Sequence, residues 1–577
     1  MTAAPHFTAN EFGPWNPGIE SPVPAALLSL CTIFRPENVY TTVAEARELR
    51  GLTGLDFSDI VAFRPERLAL HELLIRVSAD FSVPDGSKIE DLGINFRRIT
   101  GEILRRYIEP QRAAIMSLFE ARKRALSEFI AAELNGLFPA RESSRSAETE
   151  LVAKCEARGQ ADPDPLQRSA CRALDKVVCA VLVRHGRMWG TRELIVSIAT
   201  NMACNDFGSA EIGRLIEPWV MQAVAEGRYR LLPRQERPVV MNTKGASASG
   251  KSTIRPLQRR LAGDIGTSWS DFALISPDIW RKQLLDYGVL GAAYKYAGAF
   301  TGDELRIIDQ KLDQYIALKA QRGHMSHLLI DRFRFDSFAP DSDVAGSNLL
   351  TRFGQIVYLF FMITPPNLLV ERAWSRGLEV GRYKAVDDTL AHGVEAYSGM
   401  PLLFFTWIER TDKRVHFEFL DNSVSLGDRP RTVAFGWNDC MTVLDVKSML
   451  AVERYRRVDI NATSPEALFR DRALLAPEKN TSFLRECVQR FREVNFAEQP
   501  TGRVYLSLVA GSPVWADREA LERAAADTGT RAGLMDTVPG ALNGTIAFPD
   551  RPSFFDQVVA TERVHTIGRW GAHAPPA

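Results

Sequence analysis

The chain has little of what marks several large protein classes. Its seven cysteines (Cys31, Cys155, Cys171, Cys179, Cys204, Cys440 and Cys487) are odd in number, scattered over 577 residues and nowhere spaced as CxxC. That excludes a disulfide scaffold and a thiolate zinc site, and fits reduced thiols in a cytosol. Net charge is missing too: 71 lysines and arginines balance 71 acids. Proteins that track a nucleic-acid backbone carry a basic excess, so no nucleic-acid partner is expected. The longest strongly apolar run, IVYLFFMI at 356–363, falls far short of the roughly 20 residues that span a bilayer, so no membrane partner is expected either. The first 25 residues lack the basic start and apolar run of a secretory signal. A protein soluble where it works is the expectation.

What is present reads as ordinary globular text. An apolar share of 45% and a charged share of 25% sit at the globular average and exclude a fibrous or broadly disordered chain. One core cannot serve this length, so two or three domains are expected. Residues 1–25, rich in proline, glycine and small side chains, read as a flexible leader. Residues 26–235 read as a mainly helical accessory region. There, INFRRITGEILRRYIEPQRAAIMSLFEARKRALSEFIAAELNGLF spaces apolar residues by three and four, with a break near Pro110. His71 and His185 in this half stand alone and read as surface or packing residues. From Pro238 the text changes to short apolar runs, VVMN, FALIS, HLLID, IVYLFFMI and VHFEFLDN, separated by amphipathic stretches. Buried parallel strands joined by helical crossovers give such text, so residues 236–460 are expected to form an α/β nucleotide-binding domain. Residues 461–577 read as a C-terminal extension of helix, LVAGSPVW and turns, without a legible role.

One stretch carries chemistry. VVMNTKGASASGKSTI at 239–254 contains Gly245-Ala246-Ser247-Ala248-Ser249-Gly250-Lys251-Ser252, a full match to GxxxxGK[ST]. Glycines let backbone N–H groups approach phosphate oxygens, and the following helix presents its positive end to the anion. In this pattern Lys251 reaches the β and γ phosphates of ATP and the Ser252 hydroxyl holds Mg²⁺. Pro256 falls in the second turn of the expected helix and is expected to kink it.

Such a loop serves kinases, GTPases and motor ATPases alike. No NKxD-type base reader follows, and HLLID ends in the single Asp331 followed by RFRFDSF rather than in paired acids. Small-molecule kinases remain. FALISPDIWRKQLLDY puts Asp278 just past a strand end beside the phosphate loop, where a carboxylate can accept the proton of an attacking hydroxyl. The same residue would also serve as a helix N-cap. Arg281, three residues on, would hold that acid or a substrate phosphate. In NLLVERAWSRGLEVGRYKAVDD, Arg372 and Arg376 share a helical face, and Arg382 and Lys384 follow in a glycine-containing segment. Together they would make a cationic lid over the γ-phosphate, or a solvated helix paired with Glu371 and Glu379. Trp280, Tyr287, Phe333 and Phe335 would stack on a base or fill core, core being the expectation for each.

At GASASGKST, SPDIW and DRFRFDSF, with Asp278-Ile279-Trp280-Arg281 as a DxxR arrangement, the chain resembles the zeta-toxin-like kinases. Within them it is most similar to the avirulence effector branch of plant-pathogenic bacteria. The resemblance spans residues 236–460 and implies a P-loop kinase domain with a parallel sheet, ATP as donor and Mg²⁺ as cofactor. In the effector branch the acceptor is the 3′-hydroxyl of the adenosine ribose of NAD; in the toxin branch it is the 3′-hydroxyl of a UDP-linked amino sugar. By position, the resemblance makes Asp278 the general base and gives phosphate and Mg²⁺ roles to Lys251, Ser252 and Thr253. Arg372, Arg376 and Arg382 become phosphate clamps, and Asp331 and Arg334 substrate or metal contacts beside Arg281. The acid and basic residues after the Asp331 strand depart from the zeta pattern. A cognate antitoxin or chaperone is a further implied partner. The implied setting is the bacterial cytoplasm, or a host cell reached without a cleavable signal. A nucleotide-gated binding protein without turnover is the alternative that the residues leave open.

Overall fold

The computed structural model describes residues 12–135, 137–138, 144–227, 229–332, 349–425, 427–542 and 561–571. The chain is α/β. Among the described residues ten strands form one mixed sheet: β1 (Val239–Lys244), β2 (Phe272–Ile275), β3 (His327–Asp331), β4 (Ile356–Ile363), β5 (Arg414–Asp421), β6 (Arg431–Trp437), β7 (Cys440–Val443), β8 (Glu493–Ala497), β9 (Val504–Val509) and β10 (Ser512–Ala516). Their order across the sheet is β10-β9-β8-β7-β6-β5-β4-β1-β3-β2.

Within it, β2-β3-β1-β4-β5 pair parallel throughout. These are the five apolar runs of the sequence, and they are apolar on both faces because both faces are covered. Along β1, Val240 packs into one apolar cluster while Val239 and Met241 pack into another on the opposite side. The chain leaves β1 for the edge strand β2, returns between them as β3, then crosses to the far side of β1 as β4. Connections therefore diverge on either side of β1, and a crevice opens at the C-terminal strand ends there. Register sets Asp331 level with Thr243, and Phe361 level with Lys244. The last residue of β3 thus lies beside the loop that leaves β1.

The sheet does not stop at residue 460, where the α/β domain was expected to end. β6 and β7 run antiparallel, β8 adds parallel to β7, and the β9–β10 hairpin forms the edge. LVAGSPVW is that hairpin. Ala510 and Gly511 turn it with φ of 48° and 74°, the left-handed pair whose twist matches the flanking strands.

The C-terminal segment returns to the middle of the sheet. Buried Glu418 of β5 accepts hydrogen bonds from the Ile567 and Gly568 amides (2.7 and 2.9 Å) and from the Thr432 hydroxyl (2.7 Å). Burial pushes its carboxyl up to about 7 against the pull of those donors. A folded value above the unfolded one contributes stability that is complete below pH about 4.5 and lost as pH rises through about 7. Denaturant titrations should therefore show the wild type losing up to about 3 kcal/mol relative to Glu418→Gln between pH 5 and pH 8. A difference that stays constant with pH would contradict this.

The N-terminal half is helical, as its spacing predicts, from Val43–Thr53 through Ser209–Gly227. The break at Pro110 is a widened turn at Leu104–Ile108 followed by a tight one at Glu109–Gln111. Proline has no N–H to give the carbonyl four residues back, so the ladder must change pitch there. The helix Pro65–Asp80 is buried on almost every side. It lies between the other N-terminal helices and the crossover helix Gly302–Gln321, which precedes β3. His71, in that buried helix, is inaccessible and bonds Glu304 at 2.7 Å. His185 stacks on Trp189, with ring centroids 4.8 Å apart.

Residues 12–20 depart from the expectation of a flexible leader, while 1–11 lie outside the described residues. The Lys295 ammonium sits 3.8 Å from the centre of the Phe12 ring and donates to the Pro17 carbonyl (3.1 Å). The Glu20 amide donates to the Tyr296 hydroxyl (3.0 Å). Proline and glycine exclude regular structure there, yet Phe12 and Trp15 supply apolar surface to bury. Among the described residues no helix is long and apolar enough to cross a membrane.

Candidate active site

The GxxxxGKS loop leaves β1 into the crevice. Gly250 adopts φ +92°, and a β-carbon there would stand 2.2 Å from the Asn422 amide nitrogen, so only glycine fits. Gly245 is constrained by space alone: its β-carbon would meet Met362 Cβ at 2.8 Å. Ala248 takes the left-handed conformation without being glycine (φ 64°), a local strain held by the loop around it. Two residues from neighbouring strand ends pin the carbonyl of buried Ser249: Asn422, after β5, at 2.7 Å, and Thr364, after β4, at 3.2 Å. Ser247 lies partly open at the loop's rim. Strain plus pinning gives a prediction for the loop. Gly250→Ala should destabilise the protein by about 1 kcal/mol or more, because the left-handed penalty and the Asn422 clash both oppose the loop's shape. Urea denaturation showing an unchanged stability would contradict it.

The ammonium of Lys251 folds back onto the loop, donating to the carbonyls of Gly245 (3.1 Å) and Ala246 (2.9 Å). Burial lowers its proton affinity, as do Arg376 and Arg382, while Asp331 and Asp278 oppose them. Ser252 donates to the Asp331 carboxylate (2.8 Å), and Arg255 stands 3.9 Å from the same oxygen. Thr253 donates to the Gly250 carbonyl at 2.6 Å, within the turn. The helix begins later than the sequence suggests. Lys251–Ile254 is a tight turn and the α-helix proper is Arg255–Asp264, which puts Pro256 in its first turn. No donor is needed there, so the expected kink is absent.

Asp278 follows β2 on a single tight turn, Pro277–Trp280. One carboxylate oxygen accepts from Arg281 (2.8 Å) and the other from Arg382. Although burial would raise this carboxyl, Arg382 and Arg281 hold it well below the usual carboxylate range. About half of the side chain faces the open cleft. Arg281 reaches onward to the Gly298 carbonyl (2.5 Å) and the Thr301 hydroxyl (2.7 Å), which makes it a brace for Asp278.

Arg376, on the helix Pro366–Val380, donates to the Arg382 carbonyl at 3.4 Å. Its guanidinium is pressed downward by burial and then by Arg382. Burial brings Lys384 down to about 7, against the pull of Asp388 at 3.5 Å. His392 also meets Asp388 (3.4 Å) and bonds Lys384. Lys251, Arg376 and Lys384 are held low by burial and then by neighbouring cations, while Asp278 holds Arg382 up against burial, and such crowded positive groups around the loop make a site whose electrostatics call for a polyanion.

No family model, curated protein or solved structure matches this chain. The residues must therefore speak through their own geometry.

The structure brings Lys251, Ser252, Asp331, Asp278, Arg281, Arg376 and Arg382 together around the loop. Arg372 does not join them. Its guanidinium donates to the Asn422 and Val424 carbonyls (2.8 Å each) and holds the loop after β5. Arg334, Phe333 and Phe335 lie outside the described residues. Trp280 is core, fully buried with its indole N–H on Ser78 (3.1 Å). Tyr287 is half-buried near Asp278 and Arg382. Sequence reasoning missed Asn422, Thr364, Asp388 and His392. The first two directly follow β5 and β4, a position that marks them only once strand order is known. Among the described residues no three His, Cys, Asp or Glu side chains cluster as a metal centre. The Ser252–Asp331 pair offers two hard oxygens instead, which suit Mg²⁺ completed by phosphate and water oxygens.

Proposed function

We propose that this chain is a P-loop kinase of the zeta-toxin-like type, transferring the γ-phosphoryl group of ATP to a sugar hydroxyl. The observation that carries the reading is one juxtaposition. A GKS loop whose serine bonds the carboxylate closing the adjacent strand lies in the same crevice as Asp278, a second carboxylate cradled by cations. Ser252 and Asp331 would hold Mg²⁺, which when bound offsets charge on the β and γ phosphates. Lys251 would exchange its two loop carbonyls for phosphate oxygens. Arg376 and Arg382 would face the transferring group. Arg382 cannot serve phosphate and Asp278 equally, so nucleotide binding draws it from the carboxylate and restores the base strength that the ion pair suppresses. The acceptor oxygen then attacks phosphorus as its proton passes to Asp278. The bond from the γ-phosphorus to the bridging oxygen breaks, and ADP leaves.

The preferred acceptor is the 3′-hydroxyl of the adenosine ribose of NAD, on the resemblance at GASASGKST, SPDIW and DRFRFDSF. A panel of acceptors, NAD and UDP-N-acetylglucosamine foremost, assayed for acceptor-dependent ADP release with Mg²⁺, tests the reading. Release with NAD supports both class and acceptor, whereas release with the nucleotide sugar alone moves the protein to the toxin branch. ATP binding without release under any acceptor favours the nucleotide-gated binding protein.

A further inference from the structure

The segment carrying Asp278 has almost no structure of its own to stand on. Pro277–Trp280 is one tight turn and Arg281–Leu284 one helical turn, too short to hold themselves in place. Contacts from the N-terminal helices fix the segment instead. Ser78, on the helix Pro65–Asp80, accepts the Trp280 indole N–H at 3.1 Å. The Thr100 hydroxyl, on the helix Asp91–Ile103, lies 3.2 Å from the Gln283 side-chain amide, its own proton having a nearer acceptor in the Phe96 carbonyl (2.9 Å). Arg67, at the start of the Pro65–Asp80 helix, donates to the Leu284 carbonyl at 2.9 Å.

Arg67 also grips the segment by a second route. Its guanidinium forks onto Glu304, whose side chain is inaccessible, with Nη2 2.7 Å from Oε2. Glu304 lies in the first turn of the helix Gly302–Gln321. Thr301, the residue before that helix, accepts from Arg281, and Arg281 holds Asp278. Behind Glu304 the polar chain continues inward through His71, Lys311, Ser209 and Glu72, all buried. Buried polar groups satisfied one by another fix a geometry in a way that apolar contact alone does not.

We propose that the N-terminal helical region is a built-in part of the catalytic apparatus, and that Arg67, Ser78 and Thr100 are positioning residues setting where the Asp278 carboxylate stands. This rests on the kinase reading for its functional consequence, though not for its structural content.

The test uses the full-length protein with two sets of variants. Ser78→Ala and Thr100→Val remove neutral hydrogen bonds and leave the ion pair intact. Arg67→Met removes the fork, and Arg67→Lys restores the charge without the reach to Leu284. Hydrogen exchange followed by mass spectrometry should show protection of 277–284 falling about tenfold or more in the Ser78→Ala/Thr100→Val pair, with 239–254 within about twofold of wild type. Acceptor-dependent kcat should fall by about the same factor while the Kd for ATP stays put, and Arg67→Lys should recover part of what Arg67→Met loses. Unchanged exchange at 277–284 in the Ser78→Ala/Thr100→Val protein would overturn the proposal, even if Arg67→Met proves too unstable to purify. If the wild type transfers phosphate to no acceptor, the kinase reading fails by itself and the exchange result still decides whether the helices hold the segment.

Discussion

On the proposed kinase reading, Asp278→Asn is expected to lower the rate of phosphoryl transfer by about 10² to 10⁴ while leaving ATP binding within about threefold of wild type. The asparagine keeps the shape, but its one oxygen can accept from only one of Arg281 and Arg382, and it cannot take a proton from the acceptor hydroxyl. The loss should fall on kcat. Because Arg382 and Arg281 hold the carboxyl of the nucleotide-free protein well below the usual range, no acid limb from Asp278 should appear in kcat/KM between pH 6 and pH 8. Arg382→Gln separates the two duties of that residue: with the carboxylate freed of one guanidinium before nucleotide binds, the kcat/KM that remains should acquire an acid limb nearer the ordinary carboxylate range. Full activity in Asp278→Asn would remove the residue from the chemistry and leave it the ion-pair partner of Arg281 and Arg382; it is not the helix N-cap the sequence allows, since Ser276 takes the N-cap position of the turn and the carboxylate meets no backbone N–H.

The second large effect is on stability. Glu304 is wholly buried between Arg67, His71 and the helix it begins. Burial would raise its carboxyl, yet Arg67 and the His71 hydrogen bond hold it far below the usual range. Glu304→Ala would strand the Arg67 guanidinium in the interior, and breaking such a pair from one side costs about 3–5 kcal/mol. Urea denaturation should register that loss; a change under about 1 kcal/mol would mean that water reaches the site. His71 adds a signature in pH. Burial and Lys311 bring its ring down to about 4, so it folds neutral. Its contribution is complete above the unfolded value of about 6.5 and is lost as pH falls from there through about 4. His71→Gln should flatten that part of the stability profile.

The parallel half of the sheet was legible because burial on both faces writes itself as unbroken apolar runs, and five such runs became β1 to β5. The loop was legible because close approach to an anion demands glycine at fixed places, and Gly250 meets the demand through both its φ and its contact with Asn422. The extension of the sheet beyond residue 460 was not. β8 and β10 are five residues long, and strands that short lack a period distinct from loop. Long-range polar pairing was equally hidden. Arg67 and Glu304 lie 237 residues apart, and neither carries a local mark of the other. Arg372 shows the converse limit. Helical spacing put it on a face with Arg376, but only the position of the loop after β5 decides that its guanidinium turns to the Asn422 and Val424 carbonyls.

The most direct test of the central claim is to incubate the purified chain with ATP, Mg²⁺ and NAD, alongside Lys251→Ala, and locate any new phosphate by mass and by phosphorus–proton NMR coupling. The account predicts one added phosphate on the 3′-carbon of the adenosine ribose with the wild type and none with Lys251→Ala. No new phosphate on NAD or on any offered sugar hydroxyl, from a protein shown to bind Mg²⁺ and ATP, would contradict it.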